Sequence, residues 1–201
     1  MSKVIVSTML SIDGCADGPG GDVSVMPMDH AFSAHNVERV RAAGRLLFGG
    51  TGYREMLQYW PARVDDPEAT PDDAYVASRY AAGIPITVIS DSITSADVTA
   101  FGAQTTIVRR GDAHRTIASL RSSEELGDLL LFGGLTLWTD LLRHGLVDEL
   151  HLMVGPRVVA GERRAFEGLG GLDLDLLGVR TWADSANVVL TYAPTNGAPR
   201  G

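Results

Sequence analysis

Short, largely apolar runs recur through this chain, and they restrict its fold more than any other feature. They are Lys3–Thr8, Arg45–Gly49, Ile84–Ser90 and Asp128–Phe132, with Thr105–Arg109 as a more polar companion. Their centres, such as Val4-Ile5-Val6 and Leu129-Leu130-Leu131, do not alternate polar with apolar. Each must therefore be covered on both faces, as strands inside a parallel sheet are. Parallel neighbours need long crossovers, usually helical, and helix-length segments stand between the runs. His30–Ala43 carries Phe32, Val37 and Val40 on one face, and a short helix follows Gly52 through Gln58. Asp72–Ala82 ends at Gly83, Ala113–Arg121 forms another, and a helix after Gly134 runs through His144 to a glycine stop at Gly145.

After these come strands without helices between them: Val147–Val154, then Asp173–Trp182 and Asn187–Tyr192 as a closing antiparallel pair. The order predicts an α/β fold, a mostly parallel sheet flanked by helices with an antiparallel C-terminal hairpin. No long polar linker interrupts it, so one domain over 1–201 is expected. Trp60–Pro71, with three prolines and three acids, reads as a surface loop, and the tail after Ala193 as frayed.

Composition narrows the function classes. Apolar residues make up 45% and charged ones 21%, enough for a core and too apolar for a disordered chain. Seventeen basic against 25 acidic residues leave a net charge of −8, which argues against nucleic acid or an anionic membrane as partner. The lone Cys15 excludes an internal disulfide and a cysteine-rich metal site, and a cytoplasmic home follows. The N-terminal apolar run reaches Asp13 too soon for a signal peptide. His30, His35, His114, His144 and His151 have no metal-ligand spacing; His30 and His35 diverge by about 140° on a shared helix. Surface or cap roles are expected for all five, and no metal. No Gly-x-Ser-x-Gly elbow is present.

Two strand ends carry glycine clusters that lead into helices. One is Phe48-Gly49-Gly50-Thr51-Gly52-Tyr53; the other is Phe132-Gly133-Gly134-Leu135-Thr136-Leu137. Glycine admits an anion close to backbone N–H groups, and the helix N-terminus adds partial positive charge. Both clusters would flank one crevice at the carboxyl ends of the strands; the alternative is that each pair only makes a tight turn. Neither is a Walker A loop, and neither matches the dinucleotide fingerprint.

These motifs, continued by Gly145-Leu146-Val147-Asp148-Glu149-Leu150, Val154-Gly155-Pro156-Arg157 and Phe166, resemble the dihydrofolate-reductase-like proteins. The resemblance is to the RibD C-terminal type, the reductase domain of the riboflavin-biosynthesis deaminase-reductase. Ser11-Ile12-Asp13-Gly14, Leu47-Phe48-Gly49 and Trp60-Pro61 support it, and it covers nearly the whole chain. It implies NADPH as cofactor and hydride transfer to a small heterocycle, imine or carbonyl, pterins and pyrimidines first. It also implies a homodimer through a sheet edge or hairpin. The cofactor residues it implies are Gly49, Gly50, Thr51, Gly52 and Tyr53, then Ser90, Asp91, Ser92 and Arg109, then Phe132 to Leu137. Trp138 falls where the family places an aromatic near the reacting rings, and is equally suited to packing inside its helix.

The chain departs from the family's pattern in ways that bear on chemistry. Gly49-Gly50-Thr51-Gly52-Tyr53 lacks an expected arginine, and Ser90-Asp91-Ser92 has an acid where the family has a base. Asp91 would repel a 2′-phosphate and accept from a ribose hydroxyl, which weakens the preference for NADPH and makes NADH the alternative. Arg109 and Arg110 would compensate. Met26-Pro27-Met28-Asp29 matches the family's proline-x-acid step without its tryptophan, making Asp29 the candidate substrate ligand and proton source. The same aspartate suits the N-cap of the His30–Ala43 helix. Asp13 would order a loop over the nicotinamide, or only make the Asp-Gly turn. The missing arginines motivate a second reading, a catalytically inactive module that binds a small ligand.

Overall fold

The computed structural model describes residues 2–123 and 127–195. Its strands are β1 (Val4–Ser11), β2 (Ala43–Gly49), β3 (Ile86–Ile89), β4 (Thr105–Val108), β5 (Asp128–Phe132), β6 (Glu149–Gly155), β7 (Leu174–Trp182) and β8 (Ser185–Pro194). The helices are α1 (His30–Ala42), α2 (Gly50–Tyr59), α3 (Pro71–Ala81), α4 (Ala113–Ser122) and α5 (Leu135–Arg143). All eight strands join one sheet in the order β4-β3-β2-β5-β1-β6-β8-β7. The first six are mutually parallel, while β8 runs antiparallel to both β6 and β7.

The apolar runs explain the layering, because successive side chains on a strand point to opposite faces. On β1, Val4 and Val6 face one layer and Ile5 the other; on β5, Leu129 and Leu131 oppose Leu130. On β2, Leu47 opposes Leu46 and Phe48. One layer is closed by α4 and α5 through Ile117, Trp138 and Leu141. The other is closed by α1, α2 and α3 through Val37, Val40, Tyr53, Met56, Val76 and Tyr80. A third cluster, Met9, Met26, Met153 and Val189, fills the carboxyl end of β1.

Most element ends lie within a few residues of the sequence reading. The 60–71 segment is not merely a surface loop, since the Trp60 ring stacks on Tyr80 at 5.7 Å and packs against the core. Strand β8 continues to Pro194 through a hydrogen-bonded pairing with β7, so it passes the expected fraying point; residues 196–201 lie outside the described residues.

Candidate active site

The site arises from a change of side. Neighbouring strands β2 and β5 both end at glycine clusters, but β2 leads into α2 on one face and β5 into α5 on the other. Chains leaving adjacent strand ends in opposite directions open a crevice between them, the place where ligands bind in open α/β sheets. This crevice has a volume of about 660 Å³. Gly49, Gly50, Thr51 and Gly52 line one wall, Ser90 and Ser92 the end of β3, and Gly134, Leu135, Thr136 and Leu137 the opposite wall.

The backbone is shaped for this. Gly133 and Gly134 have φ of 54° and 67°, a left-handed region costly to side-chain-bearing residues. Gly134 is the N-cap of α5, and its carbonyl accepts from the N–H groups of Leu137 and Trp138. The N–H groups of Leu135 and Thr136 therefore precede the first intrahelical bonds, as an anion site requires. The Ser90 hydroxyl accepts from the N–H groups of Ser92 and Ile93 and ties down the loop opposite.

Charge comes, Arg110 apart, from residues whose role was not legible in the sequence. Arg54, Arg110, Arg143, Arg163 and Arg164 line the crevice against Asp140 and Glu167. A chain of net charge −8 thus presents a locally cationic crevice. Arg143 donates to the Gly168 carbonyl and Arg164 to that of Asp13, which fixes both guanidinium groups. Neither Asp91 nor Arg109 is a lining residue. Arg109 donates to the Asp91 carbonyl, and the Asp91 carboxylate accepts from the Arg110 backbone N–H. The bracing corrects the expectation that Asp91 faces the ligand, and of the two arginines expected to compensate Arg110 lines the crevice and Arg109 does not.

A smaller cavity of about 200 Å³ opens beside the crevice and shares Thr51, Gly52, Gly134, Leu135 and Arg163 with it. Phe132 and Gly133 form part of its wall, with Met26, Phe32 and Met153. Two buried ionisable groups also line it. Asp17 is 1% exposed; it pairs with Arg163 through one carboxylate oxygen while the other has no protein partner. His35 is 4% exposed and neither ring nitrogen has a protein partner. Burial, reinforced by neighbouring His151, pushes the His35 imidazole down to about 4, so it is neutral at pH 7. The two rings lie 5.4 Å apart, and His151 meets the Glu149 carboxylate at 3.0 Å. His35 and His151 are thus neither surface nor cap residues. Asp17, in a glycine-rich stretch expected to be loop, is held in because the 161 loop closes over it.

Four candidates fall elsewhere. Asp29 is the N-cap of α1: one carboxylate oxygen accepts from the N–H groups of Ala31 and Phe32 and from Asn187 Nδ2. The other accepts from the Ser185 hydroxyl at 2.5 Å. Burial raises its pKa, but the bonds from Ser185 and Asn187 outweigh it, and the net shift is downward. Asp29 lines neither cavity and is a poor proton donor. Asp13 is held well below the usual carboxylate range by the Ser11 hydroxyl and the Val159 N–H, with Ala160 N–H also donating. It staples the end of β1 to the 156–161 segment. Tyr53 and Trp138 are wholly buried, Tyr53 beside Phe48 and Trp138 edge-on to Phe166, so both pack the core and line neither cavity.

At the crevice edge His114, near the start of α4, lies beside Asp140 on α5 and His144, the residue that caps the C-terminal end of α5. Within-helix spacing could not reveal this, because the ligand-bearing atoms come from two helices.

A family model described as the RibD C-terminal domain matches residues 2–190. A riboflavin-biosynthesis candidate from Shewanella sp. PV-4 is similar at 17% identity and TM-score 0.68, covering 97% of this chain and 99% of that one. The diaminohydroxyphosphoribosylaminopyrimidine deaminase/5-amino-6-(5-phosphoribosylamino)uracil reductase of Thermotoga maritima is 12% identical at TM-score 0.63. That match covers 96% of this chain and 57% of the other, so the chain spans just over half of that protein's length. Dihydrofolate reductase of Enterococcus faecalis, in complex with NADP(H), is 11% identical at TM-score 0.57, covering 96% and 97%. Identities this low establish the fold, which is dihydrofolate-reductase-like. No curated protein sequence matches the chain.

Proposed function

We propose, from the premise that this chain belongs to the RibD C-terminal domain family, that it is an NAD(P)H-dependent reductase of a small heterocyclic, imine or carbonyl substrate. The observation that carries the reading is one of continuity. A cationic crevice sized for an extended anionic ligand shares walls with a small cavity that holds a buried carboxylate with one oxygen free of protein partners and a buried imidazole with both nitrogens free.

The residues fit a dinucleotide. A Cβ built on Gly133 meets nothing within 4 Å, so the turn leaves open space beside the α5 N-terminus for a phosphate. Leu135 and Thr136 N–H groups, with the surrounding arginines, would hold the pyrophosphate. The Ser90–Ser92 loop and Arg110 would meet the adenosine end. When bound, the nicotinamide supplies a hydride. Arg110 in the lining, with the Asp91 carboxylate engaged on the Arg110 backbone, favours NADPH; NADH is the alternative.

In the small cavity the Asp17 oxygen and the neutral His35 ring offer an acceptor and a donor–acceptor pair, matching the edge of a pyrimidine or pterin. Met26, Phe32 and Met153 would pack the ring face and keep water away. Asp29 fixes the start of α1, which carries Phe32 and His35, and so acts on the cavity through position.

The second reading, a catalytically inactive module that binds a small ligand, is favoured by Asp29 being fully engaged as a cap. A thermal-shift screen with NADPH, NADH and their oxidised forms tests the cofactor crevice. A ligand at about 100 times its Kd stabilises by about 2.7 kcal/mol. No shift with any of the four defeats the reductase reading; a shift without turnover of any pterin or pyrimidine substrate favours the second. We further propose a homodimer assembled through the β7 edge, supported by the exposed Leu176, Leu177 and Val179.

A further inference from the structure

At the crevice edge two imidazoles and a carboxylate, borne by α4 and by the C-terminal end of α5, converge on one another. His114 Nε2 lies 2.7 Å from Asp140 Oδ2, and His144 Nδ1 lies 3.5 Å from Asp140 Oδ1. The two imidazole rings stack with centroids 3.8 Å apart, and one ligand atom from each residue lies within 4.8 Å of the other two. Ligands about 2.0–2.2 Å from a zinc ion stand roughly 3.3 Å from one another in a tetrahedron, so small rotations bring the three into place.

His144 Nδ1 also meets the Asp140 backbone carbonyl at 2.8 Å, a contact that a dication on that nitrogen would replace. The stacked rings hold both imidazoles beside one carboxylate, which is the placement a chelating cluster requires. Each side chain is about half-exposed, so a dication can enter, and no fourth protein ligand closes the set among the described residues. Because His114 and Asp140 line the crevice, water or an anionic oxygen of a crevice ligand would complete the shell.

We infer that His114, Asp140 and His144 form a binding site for a borderline transition-metal dication such as Zn²⁺ at the rim of the anion-binding crevice. Two nitrogens and one oxygen suit Zn²⁺, Ni²⁺ or Co²⁺ and discriminate against Mg²⁺ and Ca²⁺, which take oxygen ligands. The site stands independently of the reductase reading.

The test is calorimetric titration of the tag-free full chain with ZnCl₂, and with MgCl₂ as control. One saturable Zn²⁺ site is expected and no Mg²⁺ heat. His144→Gln and His114→Gln should each weaken Zn²⁺ binding by at least about tenfold, since loss of a ligand's supporting partner alone costs about 10–100-fold, with melting curves showing that both still fold. Cys15→Ser should bind as the parent does. Co²⁺ should give a visible absorption band that the His144→Gln chain lacks. Absence of saturable Zn²⁺ binding overturns the inference. So does binding that survives unchanged in both histidine variants, or that is lost with Cys15.

Discussion

A side chain at position 161 has no room, since a Cβ built on Gly161 lies 2.0 Å from the Asp17 carbonyl oxygen. That contact presses the 161 loop onto the loop bearing Asp17. Gly161→Ala must therefore move one backbone or the other, and should cost roughly 2 kcal/mol or more. A lower urea midpoint at unchanged slope would record it; an unchanged midpoint would mean the loops are not locked. His35 makes a pH prediction. Folding holds its imidazole neutral down to about 4, whereas the unfolded ring takes a proton below about 6.5. The unfolded state then binds more protons between those values, so stability falls as pH drops through that window. Urea midpoints at pH 7 and pH 4.5 should differ, and His35→Gln should flatten the difference. Asp29→Ala removes the α1 cap and the bonds to Ser185 and Asn187, and should lower stability by about 1 kcal/mol or more. If turnover then falls far more steeply than stability, Asp29 has a chemical role that its geometry does not indicate.

The element scale explains the anion site, where α2 and α5 start from adjacent strand ends but on opposite faces of the sheet. Glycine at both starts was legible in the sequence, because strand ends and helix starts are local. The arginines were not. Arg54 projects from α2, Arg143 from the last turn of α5, and Arg163 and Arg164 come from a loop 20 residues further on. No spacing joins them; the gathering of α2, α5 and the loop after β6 around one crevice does. Arg110→Ala should weaken NADPH binding by tenfold or more and leave NADH nearly unchanged, since about 1.4 kcal/mol is tenfold. Titration by nicotinamide fluorescence measures both, and an equal loss would assign Arg110 to the pyrophosphate instead.

For the whole molecule, the proposed homodimer has its own test in light scattering after gel filtration. A mass of twice the chain is expected, and Val179→Lys on the exposed β7 edge should shift it toward the monomer. A monomeric parent would remove the proposal. None of the described helices is long and apolar enough to cross a membrane. The layering was readable from the sequence because it depends on near neighbours: an apolar run without alternation has to be buried on both faces, and a glycine after it has to turn. So were the strand–helix order, the antiparallel C-terminal hairpin and the glycine-walled crevice. Which polar residues face that crevice was decided only by tertiary structure. Asp13, Asp29, Tyr53 and Trp138 matched motifs, yet they staple loops, cap a helix or fill the core. Asp17, His35, Arg54, Arg143, Arg163 and Arg164 matched none and line the cavities. The difference is physical, for backbone conformation follows from local sequence, whereas a side chain's partners are set by where distant segments cross.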